Sequence, residues 1–178
     1  MKPDPLAAGM RSLRAGRWAQ GVEELRRALD AAPELAPVWS NLGLALRQLG
    51  RLDEALDALQ RAVTIDPALA DAWNLLGLVE QDRHRHAEAR RHFDRALGLR
   101  PEFAQAWMNR ANSDHASGRE AEALSAYGRA LELDPHMSVA HRNLAYIHYL
   151  GGRVGEAVAH YREALKLAPG DARSQLGL

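Results

Sequence analysis

The chain has 178 residues, 47% of them hydrophobic and 26% charged, the balance of a folded soluble protein. Its 23 basic and 23 acidic residues cancel, which argues against a nucleic-acid footprint over the whole chain. With no cysteine, disulfides, thiol catalysis and cysteine metal sites are excluded. No stretch approaches the roughly 20 apolar residues of a membrane span. Near the start, Arg11 and Arg14 break the apolar run, so no signal peptide is expected. Arginine far exceeds lysine, which points to a GC-rich bacterial gene; a cytoplasmic location is expected, and the periplasm also fits.

The elements recur every 34 residues. The first unit, residues 2–35, has Pro5 near its start, Gly9 inside a first helix, Gly16 at a turn, and Leu25 and Ala28 in a second helix ending at Pro33. In the second, 36–69, the helices run from about Ala36 to Leu49 and from Asp53 to Asp66. Gly50 supplies a left-handed stop between them, and Pro67 ends the pair. A third unit, 70–103, repeats this with Trp73, Gly77, Phe93, Ala96 and Pro101, but has His84 at the turn; histidine tolerates positive φ better than most residues. The fourth, 104–137, carries Trp107, Ala111, Gly118, Tyr127 and Pro135. The fifth, 138–171, carries His141 in the tryptophan place, then Ala145, Gly152, Tyr161 and Pro169. Residues 172–178 read as a sixth first helix cut short, or a capping helix. Solenoids need a polar cap, and so short a segment caps poorly. The expectation is that the natural chain continues or that its end packs on a second copy.

The eighth place of each unit holds Gly9, Gly43, Gly77, Ala111 and Ala145. Glycine inside a helix costs about 1 kcal/mol relative to alanine. A small residue there implies that the partner helix comes close.

The spacing Trp39, Leu42, Gly43, Leu46, Ala55, Leu59, Ala62, Pro67, repeated at Trp73, Leu76, Gly77, Glu80, Ala89, Phe93, Ala96, Pro101, resembles the tetratricopeptide repeat. The resemblance covers residues 2–171 and implies an all-α fold: a right-handed α-solenoid of about five helix-turn-helix units. It departs from the pattern at Arg110 and Asp114 in the fourth unit and at His141 and His148 in the fifth. Family resemblance further implies that first helices line a groove holding a peptide or partner helix.

At 100° per residue, unit positions 4, 7, 8 and 11 form one seam, and positions 2, 5, 6, 9, 12 and 13 face the other way. On that second face lie Asn41, Leu44, Asn74 and Leu78, then Met108, Asn109, Asn112, His115, Arg142, Asn143, Tyr146 and Tyr149. These are the candidate peptide- or partner-binding residues. Asparagine carries donors and an acceptor, so a row of them can hold a peptide backbone with little sequence preference. Tyrosine supplies rigid amphipathic contact area. The lysine–asparagine pattern by which some family members grip a C-terminal carboxylate is absent: Ser40, Leu44 and Gln105 stand in its places. The asparagine row is more similar to the peptide-binding repeats of O-linked N-acetylglucosamine transferases.

Other clusters read as structural. RHRHAEARRH, Arg83 to His92, looks like a metal or phosphate site but is expected to be solvated helix support. Arg110 and Asp114, one turn apart on the seam, are expected to form an internal ion pair. His141, His148 and His160 are expected near one another as core or groove-edge residues, with a pH-sensitive contact as the sharper reading. No phosphate loop, nucleophile elbow or H-E-x-x-H is present. The expected function is therefore a non-enzymatic protein-interaction scaffold with no catalytic residue, cofactor or metal. Its partner is a protein or peptide, with no nucleic acid and no membrane span. Two alternatives stand beside it: the substrate-recruiting module of a larger enzyme, such as one similar to the O-linked N-acetylglucosamine transferases, and a self-assembling homo-oligomer joined through its ends.

Overall fold

The computed structural model describes residues 4–177; Lys2 and Pro3, where the first repeat is expected to open, and Leu178 lie outside the described residues. All elements described are helices: α1 Pro5–Arg14, α2 Trp18–Ala31, α3 Ala36–Gln48, α4 Leu52–Ile65, α5 Ala70–Asp82, α6 His86–Leu99, α7 Ala104–Ala116, α8 Glu120–Leu133, α9 Ser138–Leu150, α10 Val154–Leu167 and α11 Ala172–Leu176. None of them is long and apolar enough to cross a membrane. After Pro101 the chain divides into two compact units.

In the N-terminal unit α1 packs on α2, α3 on α4 and α5 on α6, while α2–α3 and α4–α5 contacts join successive pairs. Val22, Leu25, Leu42, Leu46, Leu59, Val63, Leu76 and Val79 form one continuous core. Burying each such side chain contributes about 1.5–3 kcal/mol relative to leaving it in water. The C-terminal unit pairs α7 with α8 and α9 with α10, and α11 rests on α10. Its core is built from alanines and from Tyr127, Leu144, Ile147 and Tyr161.

Two local rules give each pair its ends. The residue before each proline is extended, with φ of −145° at Ala32, −129° at Asp66, −138° at Arg100, −141° at Asp134 and −140° at Ala168. The proline ring clashes with a preceding residue in helical conformation, so the second helix stops there. The turn inside each pair has positive φ: 68° at Gly16, 71° at Gly50, 73° at Gly118 and 73° at Gly152. The Arg51 N–H then donates back to the Leu46 carbonyl at 2.9 Å, closing the first helix. His84 adopts the same conformation at φ 60°, with the equivalent Arg85-to-Glu80 bond at 2.8 Å. The turn survives without glycine, at the cost of a strained backbone.

The small residue in the eighth place is explained by close approach. An ideal Cβ on Gly43 would lie 2.5 Å from Leu59 Cγ, and one on Gly77 would overlap the ring of Phe93. Leu59 and Phe93 occupy equivalent places on the second helix of each pair and are fully buried.

Candidate functional site

Position four of the repeat holds successive pairs together through a donor. Trp39 Nε1 donates to the Pro33 carbonyl at 2.7 Å and Trp73 Nε1 to that of Pro67 at 2.9 Å. His141 makes the same bond to Pro135 at 3.1 Å, and Gln175 of α11 makes it to Pro169 at 2.9 Å. His141 is thus a functional substitute for tryptophan, because what the place requires is an N–H above an apolar body. Gln175 docks α11 as the first helix of a further pair would dock.

Of the twelve candidate binding residues, Asn41, Leu44, Asn74 and Leu78 belong to the N-terminal unit. Asn41 Nδ2 donates to the Pro37 carbonyl of its own helix at 2.8 Å, Asn74 is buried, and the two leucines are half-buried. The other eight lie in the C-terminal unit. There Met108 is buried in the core cluster, and Asn109, also buried, accepts from Gln105 at 3.1 Å. Asn112, His115, Arg142, Asn143, Tyr146 and Tyr149 converge on one cleft of about 740 Å3.

The helical spacing explains the convergence. Arg142, Asn143, Tyr146 and Tyr149 occupy successive turns of one face of α9, and Asn112 and His115 lie one turn apart on α7. Tyr127 of α8 and Tyr161 of α10 also line the cleft, as do Arg173, Leu176 and Gly177 around α11. Tyr146 and Tyr149 remain 47% and 59% exposed, while the rings of Tyr127 and Tyr161 are buried. The edge of one aromatic ring meets the face of the other at His115 and Tyr146, with centroids 6.1 Å apart. Gly177 lies so close to Tyr161 that an ideal Cβ would sit 2.3 Å from its Cζ.

A polar network sets the orientation of the two asparagines. The Tyr127 hydroxyl donates to Asn112 Oδ1. Asn143 Nδ2 donates to the same oxygen at 2.9 Å and reaches the Tyr127 oxygen at 3.3 Å. Burial pushes the Tyr127 phenol up to about 12, against the opposing bond from Asn143, so the hydroxyl stays a donor at neutral pH. Asn112 Nδ2 and Asn143 Oδ1 are left as one donor and one acceptor without a partner among the described residues.

The five cleft residues absent from the sequence-based set are instructive. Tyr127 and Tyr161 stand where other pairs carry Leu25, Leu59 and Phe93, a core place. The exchange of an apolar residue for tyrosine is the signal: a buried ring with a hydroxyl needs a polar neighbour. Arg173, Leu176 and Gly177 belong to a segment too short for periodicity to orient.

The three histidines of the last pair do come together. The His141 and His160 rings lie 5.3 Å apart, and His148 stacks on His160 at 5.7 Å. His148 Nδ1 accepts from Arg153 Nε at 2.8 Å, so its proton sits on Nε2. His141 donates through Nε2 to Pro135, leaving Nδ1 to accept from His160 Nδ1 at 3.0 Å. Burial, and then the Arg153 guanidinium, holds His148 below the ordinary imidazole value; burial, and then its two histidine neighbours, does the same to His160.

The segment Arg83 to His92 is tied into the N-terminal unit by ion pairs. Arg83 pairs with Asp53, Arg85 approaches Glu80 at 3.7 Å, and Arg90 approaches Asp94 at 3.7 Å. His92 stacks on Trp73 with centroids 5.7 Å apart. Among the described residues no group of three or more potential ligands is placed to hold a metal ion.

A family model described as "Tetratricopeptide repeat" matches residues 74–138 and 116–172, and one described as "TPR repeat" matches residues 43–82. No curated protein matches the chain. Among solved structures it is similar to PilW, described as a widely conserved type IV pilus biogenesis factor, with 22% identity and a TM-score of 0.89 over 97% of this chain and 80% of that one. YrrB, described as a TPR protein with an unusual peptide-binding site, gives 17% identity and a TM-score of 0.75 over 97% and 89%. TTC0263, described as a thermophilic TPR protein in Thermus thermophilus, gives 22% and 0.78 over 97% and 94%. At these identities the likeness concerns the fold alone.

Proposed function

Since the chain belongs to the tetratricopeptide repeat family, a family of protein-interaction scaffolds, we propose that it is a non-enzymatic scaffold whose C-terminal cleft takes an extended segment of a partner protein. A bacterial cytoplasmic setting is part of the same proposal.

The observation that carries the reading is the pair Asn112 and Asn143. Their mutual bond and the Tyr127 hydroxyl fix both side chains before any ligand arrives. The remaining donor and acceptor match the carbonyl and N–H of a peptide backbone, which no side chain of the ligand alters. Preorganisation of this kind removes the ordering cost of binding. The exposed rings of Tyr146 and Tyr149 supply the apolar contact that a backbone bond alone lacks. The cleft volume falls within the roughly 300–1,000 Å3 of ligand pockets.

A random peptide library displayed against the wild type and against Asn143→Ala/Tyr146→Ala tests this. Peptides enriched on the wild type should lose at least about tenfold in affinity on the variant, corresponding to ~1.4 kcal/mol. Both proteins should show the same helical circular dichroism. Peptides that bind the two equally would place the site elsewhere.

A further inference from the structure

The chain as a whole is neutral, yet the cleft is not. Its lining holds Arg142, Arg173 and His115 and no aspartate or glutamate. The carboxylate of Asp171, just before α11, bears on it through Arg142, and this group is already engaged. It accepts from Ser174 Oγ at 2.5 Å, from the Arg173 backbone N–H, and from Arg142 Nη1 at 3.1 and 3.2 Å. These donors, Ser174 first, hold the Asp171 carboxyl below the usual range, so it is ionised at neutral pH and offsets the charge of Arg142.

Two groups remain available. Arg142 commits only Nη1 to Asp171, leaving Nε and Nη2 without an acceptor among the described residues. The Arg173 side chain, exposed at the cleft wall, has no carboxylate partner among the described residues. A guanidinium is a forked donor suited to a carboxylate. Beside these arginines stand Tyr149, Tyr161 and Leu176, an apolar surface on which a neighbouring side chain of a ligand can rest.

We propose that the cleft selects an acidic peptide segment: one Asp or Glu carboxylate seated between Arg142 and Arg173, next to an apolar side chain lying against Tyr149 and Leu176. This inference rests on the cleft being the binding site, and adds the chemistry of the ligand. Charge complementarity in a half-enclosed site favours the acid over its neutral isostere, because the alternative leaves Arg173 without a counter-charge. An RNA strand would also match arginine, tyrosine and an asparagine pair, but with 23 basic and 23 acidic residues the chain lacks the excess positive charge that neutralises a run of phosphates.

The test uses fluorescein-labelled peptides of about nine residues, an extended span of roughly 30 Å at ~3.3 Å per residue. They come in pairs that differ only by Glu or Gln on either side of a central Leu or Phe. An oligouridylate is titrated in parallel. Wild-type protein should bind Glu peptides about tenfold tighter than Gln peptides at ~0.1 M salt, where such a preference is only partly screened. Arg173→Gln should erase that preference, Arg173→Lys should keep most of it, and Asn143→Ala should weaken both members of a pair alike. Equal binding of Glu and Gln peptides by the wild type would overturn the acidic ligand while leaving the cleft as the site. Binding of neither peptide would overturn both readings. Tighter binding of the oligouridylate than of every peptide would also overturn the proposal.

Discussion

Gly77→Leu should destabilise the N-terminal unit by about 3 kcal/mol, the upper part of the range for overpacking a filled core. A Tm fall of roughly 6–12 °C would accompany it for a chain of this size. Even a single methyl on Gly77 would overlap the Phe93 ring. Phe93 is 0% exposed, as are Leu76 and Val79 on α5 and Ala89 and Ala96 on α6, so the ring cannot swing out to solvent without opening the pair. The helices must separate or both side chains must leave their rotamers. Combining Gly77→Leu with Phe93→Ala should recover part of the loss, since the new side chain then fills the space the ring vacates. Thermal denaturation of the two single variants and the double variant reads this out. An unchanged Tm for Gly77→Leu would refute close approach as the reason for a small residue in the eighth place.

Asp114→Ala should cost about 3 kcal/mol, near the lower end for removing one partner of a buried charge pair. Asp114 is 0% exposed and faces Arg119 Nε at 3.1 Å and Arg110 Nε at 3.6 Å. Truncation leaves a void and takes from both guanidiniums the carboxylate they share. Arg110→Met should cost less, about 1 kcal/mol, because Asp114 keeps its nearer partner Arg119 and methionine restores an apolar residue on the seam. Arg110 also lies over the Trp107 ring at 5.4 Å, a contact whose loss is included in that figure. Denaturant unfolding of both variants would check the order; equal effects, or the reverse, would contradict a buried carboxylate held by two arginines.

How much of this could be read from the chain depends on which physical signal each feature leaves. Period and punctuation carried the helix pairs: prolines 34 residues apart end second helices, and glycines at 16, 50, 118 and 152 adopt the positive φ that their placement implies. Gly43 is legible as a contact, since nothing else justifies its loss of helix propensity. Less visible was what tryptophan does in the fourth place. Hydrophobic patterning treats it as an apolar body, whereas Trp39, Trp73, His141 and Gln175 share an N–H aimed at a proline carbonyl.

Arginine at 17, 51, 85, 119 and 153 keeps the same 34-residue spacing, a signal that hydrophobic patterning does not register. In the third, fourth and fifth pairs it approaches the polar group in the eleventh place: Glu80 at 3.7 Å, Asp114 at 3.1 Å and His148 at 2.8 Å from Arg85, Arg119 and Arg153. In the second pair that place is Leu46, and Arg51 turns to Glu54 at 2.7 Å instead. A helical wheel treats each helix as a lone cylinder, so it placed Met108 and Asn109 beside Asn112. Neighbouring helices bury the first two and leave the third at the cleft.

The most direct measurement is amide hydrogen exchange on the wild-type protein with and without an acidic peptide selected for binding. Protection gained in α7, α9 and α11, with α1 to α6 unchanged, is the expected result. Protection confined to α3 and α5 would contradict a ligand held in the C-terminal cleft.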